Sequence, residues 1–174
     1  HNTAMTPDRR CLSLDISGTT TKAVCCTTAG GVLGEAQWPS LPPDGGDAAA
    51  WCTARLRDWL DAPVLAVGVA ICGLIDQQRG TMVHAPNARR LEGWGYRDQL
   101  QAHCQKPVAL LNDAKAFVYG EWSVGAGQGA AHCLGVTLGT GIGSGLILDR
   151  QLYLGAHGWP GELGHIPLYP AGPP

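Results

Sequence analysis

Two stretches of this chain repeat one pattern: an apolar strand, a turn rich in Gly, Ser or Thr, a second strand, another turn and a third strand. The first copy is CLSLDIS (11–17), TTTKAVCCTT (19–28) and VLGEAQWP (32–39). The second is CLGVTLG (133–139), SGLILD (144–149) and QLYLG (151–155). Strands joined by such short turns pair antiparallel. An internal duplication of one α/β unit is the most economical origin of the repeat. Between the copies the pattern changes. Asp47 is a fair N-cap for a helix carrying Ala48, Cys52, Leu56 and Leu60, which Pro63 ends. VLAVGVAI (64–71) is apolar without strict alternation, which predicts a parallel strand covered on both faces. Gly73 and Gly80 bracket a hairpin, and YRDQLQAHC (96–104) predicts a helix with Tyr96, Leu100 and Cys104 on one face. PVALL (107–111) reads as a buried strand. AKAFVYGEWSVG (114–125) reads as a helix lined by Ala114, Phe117, Val118 and Trp122.

Composition narrows the partners. Hydrophobic residues make up 45% and charged residues 15%, with a net charge of -2 and no basic block longer than a pair, so a polyanion such as DNA or RNA gains no electrostatic support. The seven cysteines lie mostly in apolar runs, with no CxxC pair; buried thiols in a reducing compartment are the expectation, with a cytoplasmic location and no membrane partner. Residues 1–10 are expected to be an added leader and a disordered tail.

Five short polar segments carry the chemistry. Asp15 ends a strand beside Ser17, Gly18, Thr19 and Thr20, with Lys22 just beyond. Backbone N–H groups of such a turn can hold a phosphate, and the carboxylate can orient Mg²⁺ through water; an ordinary polar hairpin tip is the plainer reading. The loop over Gly139, Thr140 and Gly141 opens a run with four glycines in seven residues, unfavourable unless the backbone approaches something closely. It is neither a Walker A loop nor a Rossmann fingerprint, since no Lys follows the last glycines and a strand stands where a helix would. Asp113 follows a buried strand and starts a helix, so it is either an N-cap or the base that takes a proton from a hydroxyl nucleophile. Asn112 beside it and Asn87 in its loop could each bind a sugar hydroxyl, or satisfy backbone groups. Lys115 reads as an ordinary surface lysine. Glu162 and His165, three apart, pair a carboxylate with an imidazole, a combination suited to a vicinal diol. The reading requires the carboxylate that ends PVALLN to face the same crevice as GELGH.

With these motifs in place, the chain resembles the ROK family of sugar kinases and sugar-responsive repressors over roughly residues 10–170. The family's DIGGTK loop is matched by DISGTTTK (15–22), with Ser17 for a glycine and an extra Thr. PGxVD is matched by Cys72 to Asp76 with Cys for Pro, and APN…GW by Ala85-Pro86-Asn87 and Gly93-Trp94. ENDANA is matched by Leu111 to Ala116, with Leu111 and Lys115 departing; LGTGIGGG by 138–145, with Ser144 for a glycine; and GAAGEIGH by Gly158 to His165.

The resemblance implies an α/β fold: an actin-like ATPase (ribonuclease H-like) domain, a mixed sheet with helices on both faces, over 11–125, then the opening strands of a second similar domain over 126–174. It implies ATP-dependent phosphorylation of a hexose, glucose or a related sugar at its 6-position, with Asp113 as general base. Asn87, Asn112, Asp113, Glu162 and His165 would contact the sugar. Asp15, Ser17, Gly18, Thr19, Thr20, Lys22, Gly139, Thr140 and Gly141 would face the nucleotide phosphates, with Asp15 holding Mg²⁺ through water. His165 matches a ligand of the family's structural Zn²⁺, whose cysteines begin about ten residues further on. Because the chain stops at Pro174, that zinc is expected only in a full-length, C-terminally complete chain. Homodimers or homotetramers are expected of such a chain. The alternatives are a sugar-binding transcriptional regulator or other non-catalytic sugar-binding relative, and an actin-like structural protein. The lack of a helix-turn-helix before Asp15 favours the kinase.

Overall fold

The computed structural model describes residues 9–60, 63–167 and 169. The expected tail over 1–10 lies outside them up to residue 8; Arg10 already pairs with Thr27 as the first residue of β1. The chain divides into two compact units, one ending at Leu111 and one starting at Asn112.

The first unit is built on a five-stranded sheet in the order β3-β2-β1-β4-β7. β1 (Arg10–Ile16), β2 (Thr20–Thr27) and β3 (Val32–Pro39) form the antiparallel opening that the turns demand. β4 (Val64–Ile71) then lies parallel to β1, making the sheet mixed. β7 (Val108–Asn112) completes it. α1 (Ala48–Leu60) is capped by Asp47, whose Oδ1 accepts from the Ala50 N–H at 2.9 Å. α2 (Tyr96–Cys104) buries Tyr96, Leu100 and Cys104, the face its spacing predicts. The two helices meet where Thr53 Oγ1 lies 3.6 Å from Cys104 Sγ. Both contribute to one core with Leu12, Leu14, Ile16, Val67, Val69 and Ile71.

β4 departs from expectation. A bulge between Arg10 and Cys11 in its pairing with β1 resets its phase, and from Val67 onward it alternates, with Val67, Val69 and Ile71 buried and Gly68 exposed. Small residues on its second face mimic a fully buried strand in the sequence. Within this unit α1 and α2 thus share a single face of the sheet. The hairpin over 74–84 is present as β5 (Leu74–Asp76) and β6 (Thr81–His84). Gly73, at φ +93, is required there because a Cβ would lie 2.4 Å from the His84 carbonyl oxygen.

The second unit is a three-stranded sheet, β10-β9-β8, with α3 (Asp113–Val124) on one face. β8 is Cys133–Leu138, β9 is Ile142–Leu148 and β10 is Gln151–Leu152. Gly135, Gly143 and Gly145 lie under α3: a Cβ at Gly145 would come 2.9 Å from Val118 Cβ, and one at Gly143 2.6 Å from Ala114 Cβ. The opposite face shows Leu134, Val136 and Leu138 exposed, Leu138 at 81%.

α3 also corrects its predicted stripe. Phe117 is 53% exposed, and Lys115 is buried with Ala114 and Val118. The inward face follows 115, 118 and 122, the i, i+3, i+7 series, and the lysine escaped notice because its residue type suggests solvent.

Candidate active site

The first loop of β1–β2 is closed by its own serine. Ser17 Oγ donates to the Thr20 carbonyl at 2.8 Å and accepts from the Thr20 N–H at 3.2 Å, while Ser17 N–H also reaches the Thr20 carbonyl at 3.0 Å. Ser17 therefore substitutes for tight-turn glycine geometry by tying the three-residue loop with its side chain. Ser40 supports it from behind: its Oγ donates to the Ser17 carbonyl at 2.7 Å and accepts from Thr21 Oγ1 at 3.1 Å, and its N–H donates to the Thr19 carbonyl at 3.0 Å. Sequence reading missed Ser40, a buried polar residue with no motif around it. Asp15 and Lys22 stand opposite each other in the β1–β2 register, both exposed. Thr19 is exposed at the loop tip, and Thr20 is half-buried.

Gly18 is packed against the loop carrying Asn87. A Cβ at Gly18 would lie 2.7 Å from the Asn87 carbonyl oxygen and 3.2 Å from Ala88 Cβ. The structure thus brings together the expected phosphate loop and one expected sugar-contacting residue. The Asn87 side chain belongs to an exposed residue in a turn closed by Ala88 N–H to the Ala85 carbonyl at 2.8 Å. Glu92 fixes the start of this turn, its Oε1 accepting from the Ala85 N–H at 2.7 Å, and His84 Nδ1 lies 3.5 Å from the same oxygen. Glu92 is a second residue missed by sequence reading.

In the second unit, the two readings of Asp113 separate. The N-cap of α3 is Asn112, whose Oδ1 accepts from the Lys115 N–H at 3.2 Å. Asp113 is the first helical residue and is exposed; its Oδ1 accepts from its neighbour Ala114 N–H at 2.8 Å and from Asn112 Nδ2 at 3.0 Å. A carboxylate here lies in the favourable field of the helix N-terminus without serving as the cap.

Lys115 does not point to solvent. Its side chain is 2% exposed, and Nζ donates to Glu162 Oε1 at 2.8 Å. This contact joins the first turn of α3, on which Asp113 stands, to the GELGH segment. That segment is seated on β9 by two glycines. Gly164 is so close that a Cβ would be 2.4 Å from the Ile142 carbonyl oxygen, and Gly161, at φ +82, lies over Ser144. Leu163–His165 forms a single 3-10 turn, with His165 N–H donating to the Glu162 carbonyl at 3.1 Å. Glu162 is partly buried, while His165 is exposed.

The glycine-rich run divides by cause. Gly143 and Gly145 are required by α3, so half of its glycines approach a helix rather than a ligand. Gly139 and Gly141 meet nothing within 4 Å of a built Cβ, neither has a left-handed φ, and both are exposed with Thr140. The described residues give no packing reason for glycine at either position, so open room remains there for a phosphate to approach the backbone. Zinc does not fit the described residues: no group of three or more His, Cys, Asp or Glu among them could hold a metal ion. No helix among them is long and apolar enough to cross a membrane.

Known proteins match this chain in sequence and fold. The glucokinase of Halalkalibacterium halodurans is 34% identical over 178 residues, an alignment covering 95% of this chain and 52% of that protein. A crystal structure of a ROK family glucokinase from Streptomyces griseus in complex with glucose and AMPPNP superposes with a TM-score of 0.79 at 32% identity, covering 94% of this chain and 52% of that one. The ROK hexokinase from Thermus thermophilus gives a TM-score of 0.81 at 32% identity, covering 94% and 55%. The chain thus spans about half the length of the curated relatives it matches. Residues 11–174 match the sequence model of the ROK family, and the chain belongs to that family.

Proposed function

We propose that the protein carrying this chain transfers the γ-phosphoryl group of ATP to the 6-hydroxyl of a hexose, glucose or a close relative. The observation that carries the reading is the Lys115–Glu162 contact, which brings the GELGH segment to the helix turn bearing an exposed, non-capping Asp113. In this reading Asp113 takes the proton from the hexose hydroxyl as its oxygen bonds to the γ-phosphorus. The bond from that phosphorus to the β–γ bridging oxygen breaks, and ADP leaves with the electron pair.

Asn87, Asn112, Glu162 and His165 hold the other sugar hydroxyls. Their amide, carboxylate and imidazole groups supply both donors and acceptors. The loops Ser17–Thr20 and Gly139–Gly141 meet the phosphates with backbone N–H groups, and Lys22 adds positive charge. Asp15 would hold Mg²⁺ through water, and the ion would supply positive charge to the nucleotide phosphates. The Streptomyces griseus relative crystallised with glucose and AMPPNP supports both ligands.

The same reading assigns residues 11–125 to an actin-like domain and 126–174 to the start of a second. It makes the full-length protein a homodimer or homotetramer. A reducing, cytoplasmic setting suits Cys25, Cys52 and Cys104, which are buried free thiols.

Calorimetry with glucose, N-acetylmannosamine and ATP tests the proposal together with an ADP-release assay. Both are run on the chain and on a form extended to the length of its relatives. Hexose binding with ADP release in the extended form is expected. Hexose binding without transfer would make the protein a sugar-responsive regulator, and binding of neither ligand an actin-like structural protein.

A further inference from the structure

Lys115 occupies an unfavourable place for a cation. It lies in the first turn of α3, where the helix field disfavours positive charge, and its side chain is 2% exposed. Burial of an ammonium adds a desolvation cost that a nonpolar or amide side chain would avoid. The carboxylate that offsets both is Glu162, at 2.8 Å. Glu162 is 32% exposed and held by a segment that Gly161 and Gly164 press against β9.

We infer that Lys115 is a positioning and specificity-determining residue: it commits Oε1 of Glu162, offsets that carboxylate's charge so that Asp113 is left as the anionic group on this turn, and so presents one directed acceptor oxygen to an uncharged polyol. This rests on the sugar-site reading of Glu162. Two consequences follow from the pair. The second carboxylate oxygen is aimed, because its partner oxygen is fixed by an ammonium held in a packed helix. A lone carboxylate would attract a sugar bearing an ammonium group, whereas the ion pair removes most of that attraction. Lys115 thereby favours a neutral hexose over a protonated 2-amino sugar.

The test uses K115M, K115R, E162Q and the double variant K115M/E162Q in the extended form, with glucose and protonated glucosamine as probes, by calorimetry and steady-state kinetics. K115M is expected to weaken glucose binding about tenfold, to raise KM more than it lowers kcat, and to shift the glucosamine-to-glucose affinity ratio about tenfold toward the cation. K115R restores the ratio, because it keeps the charge. Adding K115M to E162Q should change glucose affinity less than about threefold, since Lys115 acts only through Glu162. Unchanged glucose affinity and selectivity in K115M overturn the inference, and so does a larger further loss in the double variant. If K115M alone does not fold, the double variant, which leaves no lone charge, decides by the same comparison with E162Q. Failure of the parent reading looks different: E162Q itself would then bind glucose as well as the unaltered protein.

Discussion

Gly18 lies beneath the carbonyl of Asn87, so close that a single added Cβ would sit 2.7 Å from that oxygen. The contact couples the Ser17–Thr20 loop to the Asn87 turn through backbone, with no flexible side chain end to give way. Gly18→Ala is therefore expected to destabilise the first unit by about 1–3 kcal/mol and to displace the Asn87 turn. Urea denaturation gives the first quantity and hexose affinity the second. An alanine variant with the stability and affinity of the original would show that the two loops are not in register as described.

Gly139, Gly141 and Gly145 offer an internal comparison. A Cβ at Gly145 meets Val118 at 2.9 Å, while Gly139 and Gly141 meet nothing within 4 Å. G145A is expected to lower stability by roughly 1–3 kcal/mol through the α3 interface. G139A and G141A are expected to leave stability unchanged or raise it by up to about 1 kcal/mol, because alanine restricts the unfolded chain. Both are nonetheless expected to weaken ATP binding about tenfold in the extended form, a loss of roughly 1.4 kcal/mol. Normal ATP affinity in G139A and G141A would remove that loop from the nucleotide site.

This division shows what the sequence could and could not convey. Strand order in the opening hairpins, the Asp47 cap and the inward face of α2 follow from local spacing and turn chemistry, and all three appear in the structure. The glycine run was legible as a region of close approach, but not what each glycine approaches, since helix packing and ligand access leave the same residue in the sequence. Lys115 was misread because its partner is 47 residues away, and a charge finds its burial only through tertiary contact. Ser40 and Glu92 were invisible for the same reason: each supports a loop distant in sequence or hidden by ordinary composition.

Buried thiol and phenol groups predict how stability responds to alkali. Burial pushes the Cys52 thiol from 9.0 up to about 11, and it pushes the Tyr96 hydroxyl above its ordinary range, with Cys52 as a further cause. A raised pKa in the folded state means that the unfolded chain loses its proton first. The stabilisation is therefore fully present below pH 9 and is lost as pH climbs toward 11, at most roughly 2–3 kcal/mol from Cys52. Denaturation midpoints measured across that window should fall, and Cys52→Ala should fall less steeply from a lower starting point. Tyr96→Phe should flatten the profile with little loss at neutral pH, because the hydroxyl has no hydrogen-bond partner among the described residues. A level alkaline profile in the unaltered protein would contradict this account.

Asp113 is the residue on which the proposed chemistry turns, and its setting makes the decisive variants interpretable. Because Asn112 rather than Asp113 caps α3, replacing the carboxylate leaves the main capping bond, Asn112 Oδ1 to the Lys115 N–H, in place. Asp113→Asn preserves an acceptor for the Ala114 N–H, and Asp113→Ala removes it. Both should fold, with the alanine variant less stable by about 1 kcal/mol through the lost bond and the lost negative charge at the helix start. Both should lower turnover in the extended form by at least about 100-fold, the usual contribution of a positioned general base. Hexose affinity should stay within about threefold, because Glu162, held by Lys115, is untouched. The decisive measurement is turnover under saturating hexose and ATP, with binding followed separately by calorimetry. Near-normal turnover in D113N would mean that another group takes the proton. A parallel collapse of hexose binding would instead make Asp113 a sugar ligand whose loss empties the site before chemistry begins.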